Sequence, residues 1–161
     1  MVILGIFISL WAYGFKKSIQ VGSLIIFVVY GIYIVCTTVV FRPLRDESRV
    51  LNLIPFWSYS AIKRGETQLI EENLMNVLAF VPVGLLLAIG LKKAKCWQVV
   101  SIGGLVSVIV ELLQFHFKRG LCEFDDCLHN MIGGLLGYLL IKGLVLLYDV
   151  VNIRNRHDEV R

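Results

Sequence analysis

Long uncharged runs alternate with short charged ones along this chain. The clearest run, Val21 to Phe41, carries no charge over about 21 residues, enough for a helix to cross roughly 30 Å of hydrocarbon. Trp97 to Phe117 is similar in length and holds one acid, Glu111. Asn130 to Tyr148 is a third run, whose single charge, Lys142, lies near one end and can snorkel. Leu74 to Leu91 is a fourth, with Pro82 inside it, which membrane helices tolerate because neighbours re-satisfy the freed carbonyl. Met1 to Phe15 is shorter. Without a basic leading segment, and with Lys16-Lys17 where a small-residue cleavage site would fall, it reads as a short or tilted first helix, not a signal peptide. The pattern predicts an all-α integral membrane protein, a bundle of about five transmembrane helices. Residues 1–20 form a short membrane helix and basic turn, 21–149 the transmembrane domain and 150–161 a cytoplasmic polar tail.

Composition agrees. With 57% hydrophobic residues among 161 and a mean hydropathy of +0.76, the chain has more apolar surface than a soluble domain of this size can hide. A net charge of +4 could suggest nucleic acid. Here, however, Lys and Arg cluster between apolar runs, as the positive-inside bias requires, so the expected partner is the bilayer and not nucleic acid. Five spans place Lys16-Lys17, Lys92-Lys93-Lys95 and the tail with Arg154, Arg156 and Arg161 on one side. Residues 42–73 and 118–129 fall on the other side, where bases mix with acids. The purely basic loops are expected in the cytoplasm, with the N-terminus outside and the C-terminus inside.

Ionisable residues inside a span are costly and mark candidate sites. Ser107, Glu111, Gln114 and Lys118 follow i, i+4, i+7, i+11 spacing and form one polar stripe, from mid-membrane to the outer surface. Glu111 lies roughly 9 Å below the helix end at 1.5 Å per residue. Structural glue would explain Ser107; a glutamine would have served as glue in place of Glu111. The next loop places Glu123, Asp125 and Asp126 close together. Either aspartate could cap the last helix, where negative charge suits the positive end. Capping leaves unexplained Asn130, one turn after Asp126, and the small residues Gly134 and Gly137 on the same face. That face should turn into the bundle. Asn73 reads as a helix cap, and the deeper Asn76 could face Glu111. The aromatics of Asn52-Leu53-Ile54-Pro55-Phe56-Trp57-Ser58-Tyr59 suit the headgroup region. Arg49 and Asn52 could instead cover the polar rim as a lid.

Four ordered segments resemble the VanZ-like family of small membrane proteins: Asn52 to Phe56, Asn76 to Gly84, Ser107 to Gln114, and Arg119 through Asp125-Asp126 and Asn130 to Gly137. The resemblance covers about residues 30 to 147 and implies that four of the spans form the family core. It also implies a place in the bacterial cell envelope and a link to resistance to teicoplanin, a lipidated glycopeptide, in Gram-positive bacteria. Its polar set falls on Asn52, Asn76, Glu111, Gln114, Arg119, Asp125, Asp126 and Asn130. Glu123 stands where the family commonly has Asp; Cys122, Cys127 and His129 look particular to this chain.

Two further readings of the loop stay open. Cys122 and Cys127 could pair in an oxidising setting. Cys122, Asp125, Cys127 and His129 could bind zinc, but their spacing is not a standard zinc pattern. A divalent metal held by Glu111, Asp125 and Asp126 suits hard oxygen ligands better. Three functions follow. The first is an outward polar pocket that binds an amphiphile, a lipid-linked cell-wall precursor or a lipoglycopeptide. In it Arg119 meets a phosphate or carboxylate, and Arg49, Asn52, Asn76, Gln114, Glu123 and Asn130 contribute contacts. The second is a membrane enzyme acting on lipid-linked sugars or phospholipids, with Glu111 as acid or base and Asp125 and Asp126 as further catalytic candidates. The third is a non-catalytic partner subunit.

Overall fold

The computed structural model describes residues 16–44, 51–91 and 93–159. The expected first helix, Met1 to Phe15, and the candidate Arg49 lie outside the described residues. Helix α1, Lys16–Val35, runs on into a π-helical turn, Cys36–Val40. The two-residue strand β1, Leu51–Asn52, precedes the short helix α2, Trp57–Lys63. Helices α3, Gln68–Gly90, and α4, Cys96–Phe117, follow. Strand β2, Cys122–Glu123, leads into α5, Phe124–Glu159.

Four segments are long and apolar enough to cross a membrane: Lys17–Val40, Gln68–Gly90, Cys96–Phe117 and Phe124–Val151. Their outer faces carry large side chains that no described residue covers, such as Val29 and Ile32 on α1 and Leu105 and Leu112 on α4. Lipid takes up that surface. Two elements start earlier than their apolar runs: α3 begins at Gln68, not Leu74, and α5 at Phe124, not Asn130. In both, a polar first turn extends the helix beyond the hydrocarbon-length run. The last helix also continues through the segment read as a polar tail from residue 150.

Helix α3 is the centre of the bundle. It packs against α1 on one side and most closely against α5 on the other, while α4 packs against α5. The core joins Ile34 of α1, Phe80, Val83 and Leu87 of α3, Val99 and Val110 of α4, and Ala94 of the turn between α3 and α4. Side-chain hydroxyls tie the helices through backbone carbonyls. Ser23 Oγ donates to Leu86 O at 2.8 Å and Tyr30 Oη to Ala79 O at 2.9 Å, bonds that water cannot contest in a bilayer. Glycines set the α3–α5 spacing. A methyl group on Gly133 would overlap the Val77 carbonyl, and one on Gly137 the Val81 carbonyl. Small residues one turn apart on α5 thus seat against carbonyls one turn apart on α3.

The loops after α1 and α4 meet at one end of the bundle. There β1 and β2 pair in parallel, Leu51 with Cys122 and Asn52 with Glu123. The turn between α3 and α4 lies at the other end.

Candidate functional site

The paired loops border a cleft of about 490 Å³ between α1, α3, α4 and α5. Its apolar wall is Ile34, Met75, Ala79, Phe80 and Val110; its polar wall is Thr38, Arg42, Gln68, Glu71, Glu72, Asn76, Glu111, Gln114, Asp126 and Asn130. The expected stripe on α4 is there: Ser107, Glu111 and Gln114 are each at most 4% exposed and share the inner face. Lys118 instead ends the helix in the left-handed region, φ 55°.

Each polar group is held by a neighbour. Glu111 Oε2 accepts from the Glu123 amide at 3.0 Å, so strand β2 fixes the carboxylate from above. Asn130 Nδ2 donates to Ser107 Oγ at 2.8 Å. Asn130 Oδ1 is buried with no partner among the described residues. Asn76 faces Asp126 across the cleft.

Arg42 is the cation of the site, and its charge acts on both Glu111 and Asp126. The π-helical turn before it widens the backbone, and threonines satisfy the carbonyls there: Thr38 Oγ1 donates to Ile34 O at 2.7 Å, and Thr37 Oγ1 to the same oxygen at 3.0 Å. Arg119, expected to meet a ligand anion, donates to the Arg42 carbonyl and so anchors the Arg42 segment. Gly120 beside it leaves room for both side chains. A methyl there would come to 3.1 Å from Arg42 Nη1 and from Gln114 Oε1.

Asp125 does not join this cleft. It is fully buried and caps α2 from a distance. Its Oδ1 accepts from the Phe56 amide at 2.6 Å; its Oδ2 accepts from the Ser58 amide at 3.0 Å and from Ser58 Oγ at 2.7 Å. Asp125 therefore caps another helix, not its own. Asp126, one residue on, is turned about 100° away on the helix and faces the cleft. The proposed metal trio of Glu111, Asp125 and Asp126 is thus split: Asp126 of α5 shares the cleft with Glu111 of α4, and Asp125 faces α2 instead. Among the described residues, no three His, Cys, Asp or Glu side chains are placed to hold a metal ion.

Nor is the zinc set assembled. His129 Nε2 bonds Tyr59 Oη at 2.9 Å, Asp125 is committed to α2, and the Cys122 thiol is pushed up to about 11, chiefly by burial and then by the Glu111 charge. Cys122 and Cys127 are free thiols, so the disulfide is not formed.

Asn52 lies in the β1–β2 ladder, and its Oδ1 accepts from the Ile54 amide at 3.3 Å; it supports the loop and does not line the cleft. Asn73 is no helix cap, since Thr67 holds that position in α3; its Nδ2 donates to Ser58 Oγ at 3.3 Å. Arg42, Glu71 and Glu72 are site residues that the sequence reading missed. Arg42 had a signal: it is the first charge after the longest uncharged run.

Glu123 lies in β2 and reaches Glu111 through its backbone amide, but it is not among the residues that line the cleft. Burial, with the charges of Asp126 and Glu72, raises its carboxyl from the usual 4.5 to about 7. The unfolded chain releases this proton near 4.5 and the folded one near 7, so rising pH erodes stability across that interval. Glu123→Gln should therefore melt like the wild type at pH 4 and above it at pH 8. A melting-temperature difference that is flat between those pH values would refute this.

The fold and cleft define a multi-pass membrane protein with a polar pocket sunk into one end of its helix bundle. The VanZ/LLP1 family pattern matches residues 24–148, and the chain belongs to that family. It is 29% identical to Protein VanZ of Enterococcus faecium over 127 residues, covering 77% of this chain and 74% of that protein. No solved structure matches significantly.

Proposed function

We propose that the cleft binds the headgroup end of an amphiphile, a lipid-linked cell-wall precursor or a lipoglycopeptide, and that the protein thereby lowers susceptibility to teicoplanin. The observation that carries this reading is the two-sided lining. Ile34, Ala79, Phe80 and Val110 offer an apolar wall, continuous with Arg42, Asn76, Glu111, Asp126 and Asn130 at the bundle end. An amphiphile has the same division, and a cleft between transmembrane helices is open to it from the bilayer.

The purely basic turn Lys92-Lys93-Lys95 at the opposite end supports a cytoplasmic placement for that end and an outward cleft. Cys122 is buried, so labelling needs another probe. With outward orientation, Glu66→Cys reacts with an impermeant maleimide on whole cells and the exposed Cys96 does not. The reverse pattern would invert the protein.

Glu111→Gln and Asp126→Asn, expressed at wild-type membrane levels, should each abolish the reduced teicoplanin susceptibility. Unchanged susceptibility in both would sink the reading. The pairing of Glu111 with Asp126 in one cleft supports a second reading, a membrane enzyme on lipid-linked sugars or phospholipids, since adjacent carboxylates can divide acid and base roles. A lipid species that appears only when Glu111 is intact would favour that reading.

A further inference from the structure

We propose that the cleft selects an amphiphile whose headgroup carries a protonated primary amine. The proposal rests on the amphiphile-binding reading and names its ligand class. Among the described residues, four carboxylates, Glu71, Glu72, Glu111 and Asp126, line the cleft against the single guanidinium of Arg42. The charge of Arg42 acts on both Glu111 and Asp126. Arg119 donates from its guanidinium to the Arg42 carbonyl. An incoming phosphate would meet one guanidinium against four carboxyl groups in this lining.

An independent feature points the same way. Asn130 lines the cleft and is 4% exposed; its amide nitrogen donates to Ser107, and its Oδ1 is a buried acceptor without a partner among the described residues. Buried acceptors are rarely left unpaired, because the lost hydration is not recovered. What the site lacks is a donor with positive charge. An ammonium supplies three donors and one charge on a small head, which suits an acceptor flanked by carboxylates. The surrounding helices keep the local dielectric low, so the charge match weighs more than at an open surface. The alkyl chain lies along Ile34, Ala79, Phe80 and Val110.

The test uses the full chain in phosphatidylcholine nanodiscs and three photoactivatable dodecyl probes that differ only in headgroup: primary amine, N-acetylated amine and phosphate. Crosslinks are mapped by mass spectrometry, with the lipid-facing side of α1 as reference. The amine should label the cleft at least about fivefold more than either of the others, the equivalent of one charge-assisted contact of about 1 kcal/mol. Asp126→Asn and Asn130→Leu should each erase that preference, and free dodecylamine should compete in the wild type. Equal cleft labelling by all three probes, or a preference for phosphate, overturns the amine assignment and leaves the amphiphile reading standing. Labelling of the cleft no higher than the α1 reference by any probe overturns both. Phosphatidylethanolamine and a lipoglycopeptide with a free amine serve as competitors that separate a resident lipid from an arriving drug. Displacement by either supports the proposal, and displacement by neither overturns it.

Discussion

Asp125→Ala should release α2 from the bundle while the four long helices stay assembled. Phe56, the residue before α2, holds a left-handed backbone, φ 61°, without being glycine or asparagine, which costs of order 1 kcal/mol unless the surroundings hold it. Asp125 is what holds it. Its two oxygens take the Phe56 amide, the Ser58 amide and the Ser58 hydroxyl, and the Ser58 groups are buried. Alanine leaves all three donors unanswered, at a cost on the order of 3 kcal/mol. A seven-residue helix has no independent stability to absorb that loss. The remaining ties include the Tyr59–His129 bond, the long Asn73–Ser58 bond, the buried Ala61 and a two-residue ladder. Hydrogen exchange should show the amides of residues 56–60 losing protection, with α3 and α5 unchanged. Asp125→Asn should fall between, since its one oxygen can serve one donor while its NH2 group opposes the other. The damage should also reach the cleft, because β2 is paired to β1 and the Glu123 amide holds Glu111. Wild-type protection of residues 56–60 in the alanine variant would show that something other than this cap retains α2.

The four spans were legible because a bilayer imposes a length and an apolarity that few other structures share. The stripe Ser107, Glu111, Gln114 was legible because helical periodicity fixes which residues share a face, and burial of all three follows. Periodicity also separates Asp125 from Asp126, yet both were assigned to one cluster. Their different fates depend on α2, whose amides approach from almost seventy residues away in sequence. No local pattern announces a cap supplied at that distance. Arg42 was overlooked for a related reason. Its place in the cleft follows from the π-helical turn and from the Arg119 anchor, and the second of these is a tertiary contact. Asn52 sits in the matching motif but serves the ladder, so the motif marks the loop's architecture as well as its chemistry.

Gly84→Ala should destroy the bundle where Gly134→Ala leaves it intact, although the two glycines face each other across the same interface. A methyl group on Gly84 would run into the Gly134 carbonyl, a backbone atom that cannot swing aside. On Gly134 the same methyl would meet nothing within 4 Å. The two substitutions add the same volume to the same pair of helices, so composition and helix propensity cancel in the comparison, and only the direction of each Cα–Cβ bond differs. Ordinary overpacking costs about 1–3 kcal/mol because side chains shift rotamer. Here α3 and α5 must move apart, and the carbonyl seats of Gly133 and Gly137 separate with them. Asn76 lies on one of these helices and Asp126 and Asn130 on the other, so the cleft widens as the interface opens. The Gly84 variant should therefore give little monodisperse protein, or a much lower melting temperature in detergent, and no effect on teicoplanin susceptibility. Gly134→Ala should match the wild type in all three. Equal behaviour of the two variants would mean that the close α3–α5 approach is not what holds the bundle together, and that the hydroxyl-to-carbonyl ties from α1 carry more of the fold than its geometry assigns them.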